Sequence, residues 1–225
     1  MKETICTIPI NDIFEVKKGC PFCRMYGLLE EKYVNFIVGD AMMEVSVRIQ
    51  VNEKGFCGRH LDKIIGCGSR LPTALMLQTH LQELAKTCTD GNLRKSSEKL
   101  LKICDSCFVC EKIDSGFNLM CASLLEHWKN EEDFRTLYAG QEYVCPRHSA
   151  GIIRAALESR KLKGAQKNEF CKTTLELTRK HVETLENDVS DFCRMYDYRN
   201  RGEDFSACAD SIERSAEFLK SENEK

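Results

Sequence analysis

Apolar residues recur along this chain at spacings of three and four, and nowhere in the strict alternation that a half-buried strand requires. Tyr26, Leu29, Tyr33, Phe36 and Ile37, with Met43 beyond them, follow helical spacing in a stretch that no proline interrupts before Gly39, which predicts a helix of several turns. Phe117, Met120, Leu124, Leu125 and Trp128 share one face of a second such helix, followed by a short one from Glu131 to Tyr138 closed by Gly140. After His60, Leu61, Ile64 and Ile65 continue a helix to the stop Gly66-Cys67-Gly68. Pro72 then suits the first turn of the next helix, where its missing N–H costs nothing, and Leu75, Leu77, Leu81 and Leu84 carry it on. Asp90-Gly91-Asn92 reads as a turn, Leu93 to Ile103 as a helix, and Ile152, Ile153, Ala156 and Leu157 as a helix that ends at Lys163-Gly164. From Ala165 to Tyr198 there is neither glycine nor proline. Cys171, Leu175, Thr178, Val182, Leu185, Val189, Phe192 and Tyr196 form a near-heptad stripe, read as a seam against the protein's own helices rather than a coiled-coil dimer. Asn200-Arg201-Gly202 breaks that helix, and Phe205, Cys208, Ile212, Ala216 and Leu219 mark a last one. The expected class is all-α.

Laid over this pattern is an internal repeat of cysteine and histidine. Cys20-Pro21-Phe22-Cys23 is followed after 33 residues by Cys57-Gly58-Arg59-His60, and Cys107-Phe108-Val109-Cys110 after 34 residues by Cys145-Pro146-Arg147-His148. Corresponding residues are offset by 87, 87, 88 and 88 positions. Zinc favours four soft or borderline ligands in a tetrahedron, and a C-x2-C turn lets two thiolates converge on one ion. The spacing therefore predicts two zinc ions, one on Cys20, Cys23, Cys57 and His60 and one on Cys107, Cys110, Cys145 and His148. A Cys3His shell leaves no open position for water or substrate, so the expected role is structural and no catalytic residue is assigned. Cys104 extends the second knuckle to C-x2-C-x2-C, the start of an iron–sulfur ligand run, but no fourth cysteine lies where such a run ends, and Ser115 and Gly116 follow instead. Thiol–disulfide exchange at Cys-Pro-Phe-Cys is disfavoured by the charged stretch before it, Glu15-Val16-Lys17-Lys18-Gly19, which is no buried strand. His80, His127 and His181 have no metal-spaced partner and read as ordinary helix residues.

Composition changes the picture in two respects. With 33 basic against 35 acidic residues in 225, a net charge of −2 offers no footprint for a nucleic acid, and the basic group Arg154, Arg160, Lys161, Lys163 and Lys167 reads as a solvated helix end. No apolar run reaches membrane-spanning length, and no signal-peptide pattern opens the chain, so the expected address is the cytoplasm. Thiols stay reduced there, and 14 cysteines in a chain long enough to bury a core point to metal chemistry rather than disulfide staples.

The phrases Gly19-Cys20-Pro21-Phe22-Cys23, Asp40-Ala41-Met42-Met43-Glu44, Asn52-Glu53-Lys54-Gly55-Phe56-Cys57-Gly58-Arg59-His60 and Asp197-Tyr198-Arg199-Asn200 resemble those of an uncharacterised bacterial family, a domain of unknown function found largely in anaerobic Gram-positive lineages. The resemblance covers nearly the whole length. It implies a cytoplasmic, helical, cysteine-rich protein and no activity. Phe192-Cys193-Arg194-Met195-Tyr196 repeats Phe22-Cys23-Arg24-Met25-Tyr26 without a second cysteine at metal spacing, and reads as helix packing.

The sequence thus predicts a first zinc-knuckle repeat over 1–105, a second over 106–163 and a C-terminal pair of helices over 164–225. The expected function is that of a non-catalytic zinc protein acting on an unidentified protein partner, as monomer or homodimer. A redox- or zinc-responsive regulator is the alternative.

Overall fold

The computed structural model describes residues 10–89, 91–200, 204 and 206–220, so Phe205 and the Arg201-Gly202 break lie outside the described residues. Every regular element among them is helical. In chain order these are α1 (Ile10–Glu15), α2 (Pro21–Val38), α3 (Val45–Lys54), α4 (Gly58–Gly66), α5 (Arg70–Cys88), α6 (Leu93–Cys104), α7 (Phe108–Asn130), α8 (Glu132–Ala139), α9 (Pro146–Glu158), α10 (Gly164–Met195) and α11 (Ser211–Lys220), with short 3-10 turns at Asp40–Met43, Tyr198–Asn200 and Ser206–Cys208. Among the described residues no helix is long and apolar enough to cross a membrane.

The chain divides into two compact units that interleave along the sequence. Among the described residues, one combines those up to Tyr26 with those from Leu119 onward, and the other is Gly27–Asn118. The consecutive division at 105 and 163 read from the repeat cuts the chain elsewhere. Two long helices, α2 and α7, explain the difference. At 1.5 Å per residue, α2 with 18 residues and α7 with 23 run for about 27 and about 35 Å. Each begins in one unit and ends in the other, so the segment that follows each helix belongs to a different unit from the knuckle that precedes it.

The first unit is built on an aromatic core. Phe14 of α1, a helix too short to show a sequence pattern, meets Phe22 edge-on at 6.0 Å, Phe134 at 5.4 Å and Tyr138 at 5.5 Å. Trp128 and Phe170 pack on Tyr138 at 5.4 and 5.3 Å. The stripe of α10 that enters this core is Phe170, Thr174, Leu177 and Leu185; of the expected seam Leu185 is buried, whereas Leu175 and Val182 face solvent and the residues one position before Cys171, Leu175 and Thr178 turn inward instead. A threonine is accepted inside because its hydroxyl donates to the Phe170 carbonyl at 2.8 Å and its free lone pair accepts from the Tyr138 hydroxyl at 2.8 Å. In α11 the buried residues are Ser211 and Phe218 while Ile212 and Leu219 are exposed, again a rotation from the expected stripe. Arg214 fixes that rotation by reaching Asp188 of α10 and Asp210, both at 2.8 Å.

In the second unit Leu29, Ile37, Val51, Ile64, Met76 and Ile113 are fully buried or nearly so. Here α5 turns Thr73, Met76, His80 and Thr87 inward, leaving Leu71 and Leu81 exposed. The His80 ring fits because it lies against Gly55, where a β-carbon would stand 3.1 Å from its Nε2.

Candidate metal centres

All eight residues singled out by the repeat gather into two four-residue clusters, but with their partners exchanged. Cys20 and Cys23 meet Cys145 and His148 in the first unit, while Cys57 and His60 meet Cys107 and Cys110 in the second. The within-repeat pairing expected from sequence is therefore overturned, although the eight residues stand. Nearness in sequence is a weak guide because loop-closure entropy grows only as the logarithm of loop length. Closing 122 residues instead of 34 costs about 1 kcal/mol more, less than burying one large apolar side chain contributes.

Both clusters are built alike. Each C-x2-C lies at the start of a long helix, α2 or α7, and each C-x2-H at the start of a shorter one, with Cys57 capping α4 and Cys145 capping α9. The first-turn N–H groups of a helix face such positions and favour negative charge. In the first cluster the His148 Nδ1 stands 3.8 Å from the Cys20 sulfur, 3.4 Å from that of Cys23 and 3.1 Å from that of Cys145, and the Cys23 and Cys145 sulfurs are 3.8 Å apart. In the second the His60 Nδ1 is 3.2, 3.4 and 3.3 Å from the sulfurs of Cys57, Cys107 and Cys110, and the Cys57 and Cys110 sulfurs are 3.9 Å apart. The ligand atoms of each cluster all lie within 4.8 Å of one another.

The backbone holds the two halves of each cluster together. In the first, the Gly19 N–H donates to the Glu142 carboxylate at 2.5 Å and the Glu142 N–H to the Lys17 carbonyl at 3.2 Å. Arg24, next to Cys23, gathers the approach to the knuckle by donating to the carbonyls of Ile13, Val16, Lys18 and Gly19 and to the Gln141 side chain. In the second, the Phe108 N–H donates to the Gly55 carbonyl at 3.0 Å and the Ser106 hydroxyl to the Lys54 carbonyl at 2.9 Å. Gly55 has φ +61° and ψ −158°, a conformation that only glycine adopts readily. Gly55→Ala should therefore destabilise the chain by about 1–3 kcal/mol from backbone strain, with the clash against His80 added, and a melting curve of the variant unchanged from wild type would contradict this.

Burial acts on these groups in the direction metal binding requires of the imidazoles and against that required of the thiols. His148 is pulled down to about 4 by burial and by Arg147, and burial lowers His60 as well although Glu30 opposes it, so both rings are held in the neutral form that a metal would need. Burial pushes the Cys20 thiol up to about 12 and raises Cys107 and Cys110, the last also through the neighbouring Cys107. Cys145 stands at about 11, its hydrogen bond with Cys20 pulling down but outweighed by Cys23 and by burial. Backbone hydrogen bonds from Cys145 to Cys20, and from Cys110 and Cys57 to Cys107, favour the thiolates. Three thiols crowded around an imidazole in this setting give up their protons when a cation takes them up as ligands.

Other sequence candidates lie elsewhere. Cys104 is exposed at the end of α6 and belongs to neither cluster. His80 packs against Gly55, His127 pairs with Glu131 at 2.6 Å, and His181 stacks on Tyr143 at 4.1 Å. The second FCRMY segment differs in environment from the first. Phe22, Met25 and Tyr26 are buried, whereas Met195 and Tyr196 are exposed. Sequence reasoning missed Glu30, a buried carboxylate facing His60, because an acid inside a polar-looking helix turn carries no local signal of burial.

The pattern of a family of unknown function, DUF6062, matches this chain over residues 1–225. The chain belongs to that family. No curated protein and no solved structure matches it. Membership agrees with the resemblance seen in the cysteine phrases and assigns no activity, so chemistry has to be argued from the two clusters themselves.

Proposed function

We propose that this member of the family binds two zinc ions, one in each cluster, as structural staples, and that it works as a non-catalytic helical scaffold for a protein partner in the reducing cytoplasm. The observation that carries the reading is the size of the clusters. Zinc–sulfur bonds of about 2.3 Å and zinc–nitrogen bonds of about 2.0–2.1 Å give tetrahedral edges of about 3.8 Å between sulfurs and about 3.6 Å between sulfur and nitrogen. The sulfurs stand 3.8 and 3.9 Å apart, and the sulfur–nitrogen separations run from 3.1 to 3.8 Å. An iron–sulfur cluster interposes several irons and sulfides between its cysteines, which ligand atoms all within 4.8 Å of one another do not accommodate.

Three thiolates and one imidazole fill the tetrahedron, so the ion would hold helix ends rather than activate water. The thirteen cysteines among the described residues are all free, as ligand chemistry in a reducing compartment requires. Exposed Leu71, Leu81, Leu93 and Leu101 on α5 and α6 supply apolar surface for a partner. Elemental analysis of chain purified without added metal should find two zinc ions per molecule. Iron with acid-labile sulfide, or one zinc per chain, would sink the reading.

A further inference from the structure

We infer that Glu30 is a positioning residue for the second centre, clamped by Arg59 and Lys63 so that it holds the His60 ring in the one tautomer that can ligate the ion. This rests on the zinc reading above and deepens it. Glu30 lies on α2 and its side chain is 6 % exposed. Its Oε1 is 3.1 Å from the His60 Nε2, Arg59 approaches its carboxylate at 2.9 Å, and Lys63 caps the second oxygen.

A carboxylate can only accept, so a neutral His60 must carry its proton on Nε2, and its lone pair then points from Nδ1 toward the three sulfurs at 3.2–3.4 Å. The acceptor also makes the imidazole a stronger ligand. Burying a carboxylate is costly unless it is paired, and the two cations flanking His60 on α4 provide the pairing. With a dication on three thiolates the site carries −1, Glu30 adds −1, and Arg59 with Lys63 return the group to neutrality. In the first centre the corresponding surroundings differ, since the His148 ring lies beside the Phe22 ring at 5.9 Å.

The two centres of one chain make the test internally controlled. In chelator competition on the full-length zinc-loaded chain, Glu30→Ala should weaken one ion by about 10–100-fold and leave the other at its wild-type affinity. Glu30→Gln, which keeps an acceptor oxygen and loses the charge, should fall between. With cadmium in place of zinc, Glu30→Ala should move one of two metal NMR resonances and leave the second, a signature that a packing defect away from the ligands would not produce. Helix content measured at saturating zinc separates weak binding from failure to fold, and should Glu30→Ala not fold, the nearly isosteric Glu30→Gln carries the test. Wild-type affinity at both centres in the variants, with both resonances unmoved, would overturn the inference. A wild-type chain that binds neither zinc nor cadmium would instead overturn the metal reading on which it rests.

Discussion

A chain carrying Cys23→Ser together with Cys145→Ser should purify with one zinc ion, and a chain carrying Cys23→Ser together with Cys57→Ser should purify with none. The first pair of substitutions falls in a single cluster and leaves Cys57, His60, Cys107 and Cys110 intact, whereas the second takes one thiolate from each. Pairing within each repeat would give the reverse result. Removing one of four ligands opens the shell to water and costs a large part of the binding energy, so metal content should fall in whole ions. Equal zinc in the two double variants would sink the exchanged pairing.

Loss of His148 should reach further into the fold than loss of any surface residue. A structural zinc contributes about 10–16 kcal/mol of apparent binding energy, at or above the net stability of about 5–15 kcal/mol of a whole domain. His148→Ala should therefore release one ion and lower the melting temperature sharply. The change should also be visible in Trp128. From the His148 ring, contacts run through Phe22 at 5.9 Å, from Phe22 to Tyr138 at 6.4 Å and from Tyr138 to Trp128 at 5.4 Å, all inside one unit. His60→Ala should release the other ion, which belongs to the other unit, and change tryptophan emission little. His127→Ala, with its ring on Glu131, should leave both ions in place. Equal emission changes for His60→Ala and His148→Ala would contradict the assignment of Trp128 to the His148 centre.

Most of the helices, though not α1 or α3, and the eight candidate ligands were legible from periodicity and spacing because both are local. Helical spacing marks α2 and α7 without knowledge of the rest of the chain, and a C-x2-C or C-x2-H at a helix start needs only its own turn. Which knuckle meets which C-x2-H depends on where long helices deliver the chain, and no local pattern encodes that. The same holds for the inward faces. In α5 the leucines at 71 and 81 look like core, yet Thr73 and His80 are the buried residues, because Gly55 leaves room for a ring and nothing comparable receives the leucines. Glu30 was illegible for a related reason, since a carboxylate becomes a core residue only when Arg59, His60 and Lys63 arrive from another helix.

The exchanged partners have a consequence for a chain emerging from the ribosome. Synthesis proceeds from the N-terminus, and domains begin to fold as they appear. Once His60 has been made, Cys20, Cys23, Cys57 and His60 form a full set of four ligands, and it is the wrong set. The correct partners of Cys57 and His60 arrive only with Cys107 and Cys110, and those of Cys20 and Cys23 only with Cys145 and His148. If the two clusters hold metal as proposed, an ion arriving in that interval would close a shorter, non-native loop, and the nascent protein would have to hold its first knuckle empty, or exchange its metal, before the last third of the chain is translated.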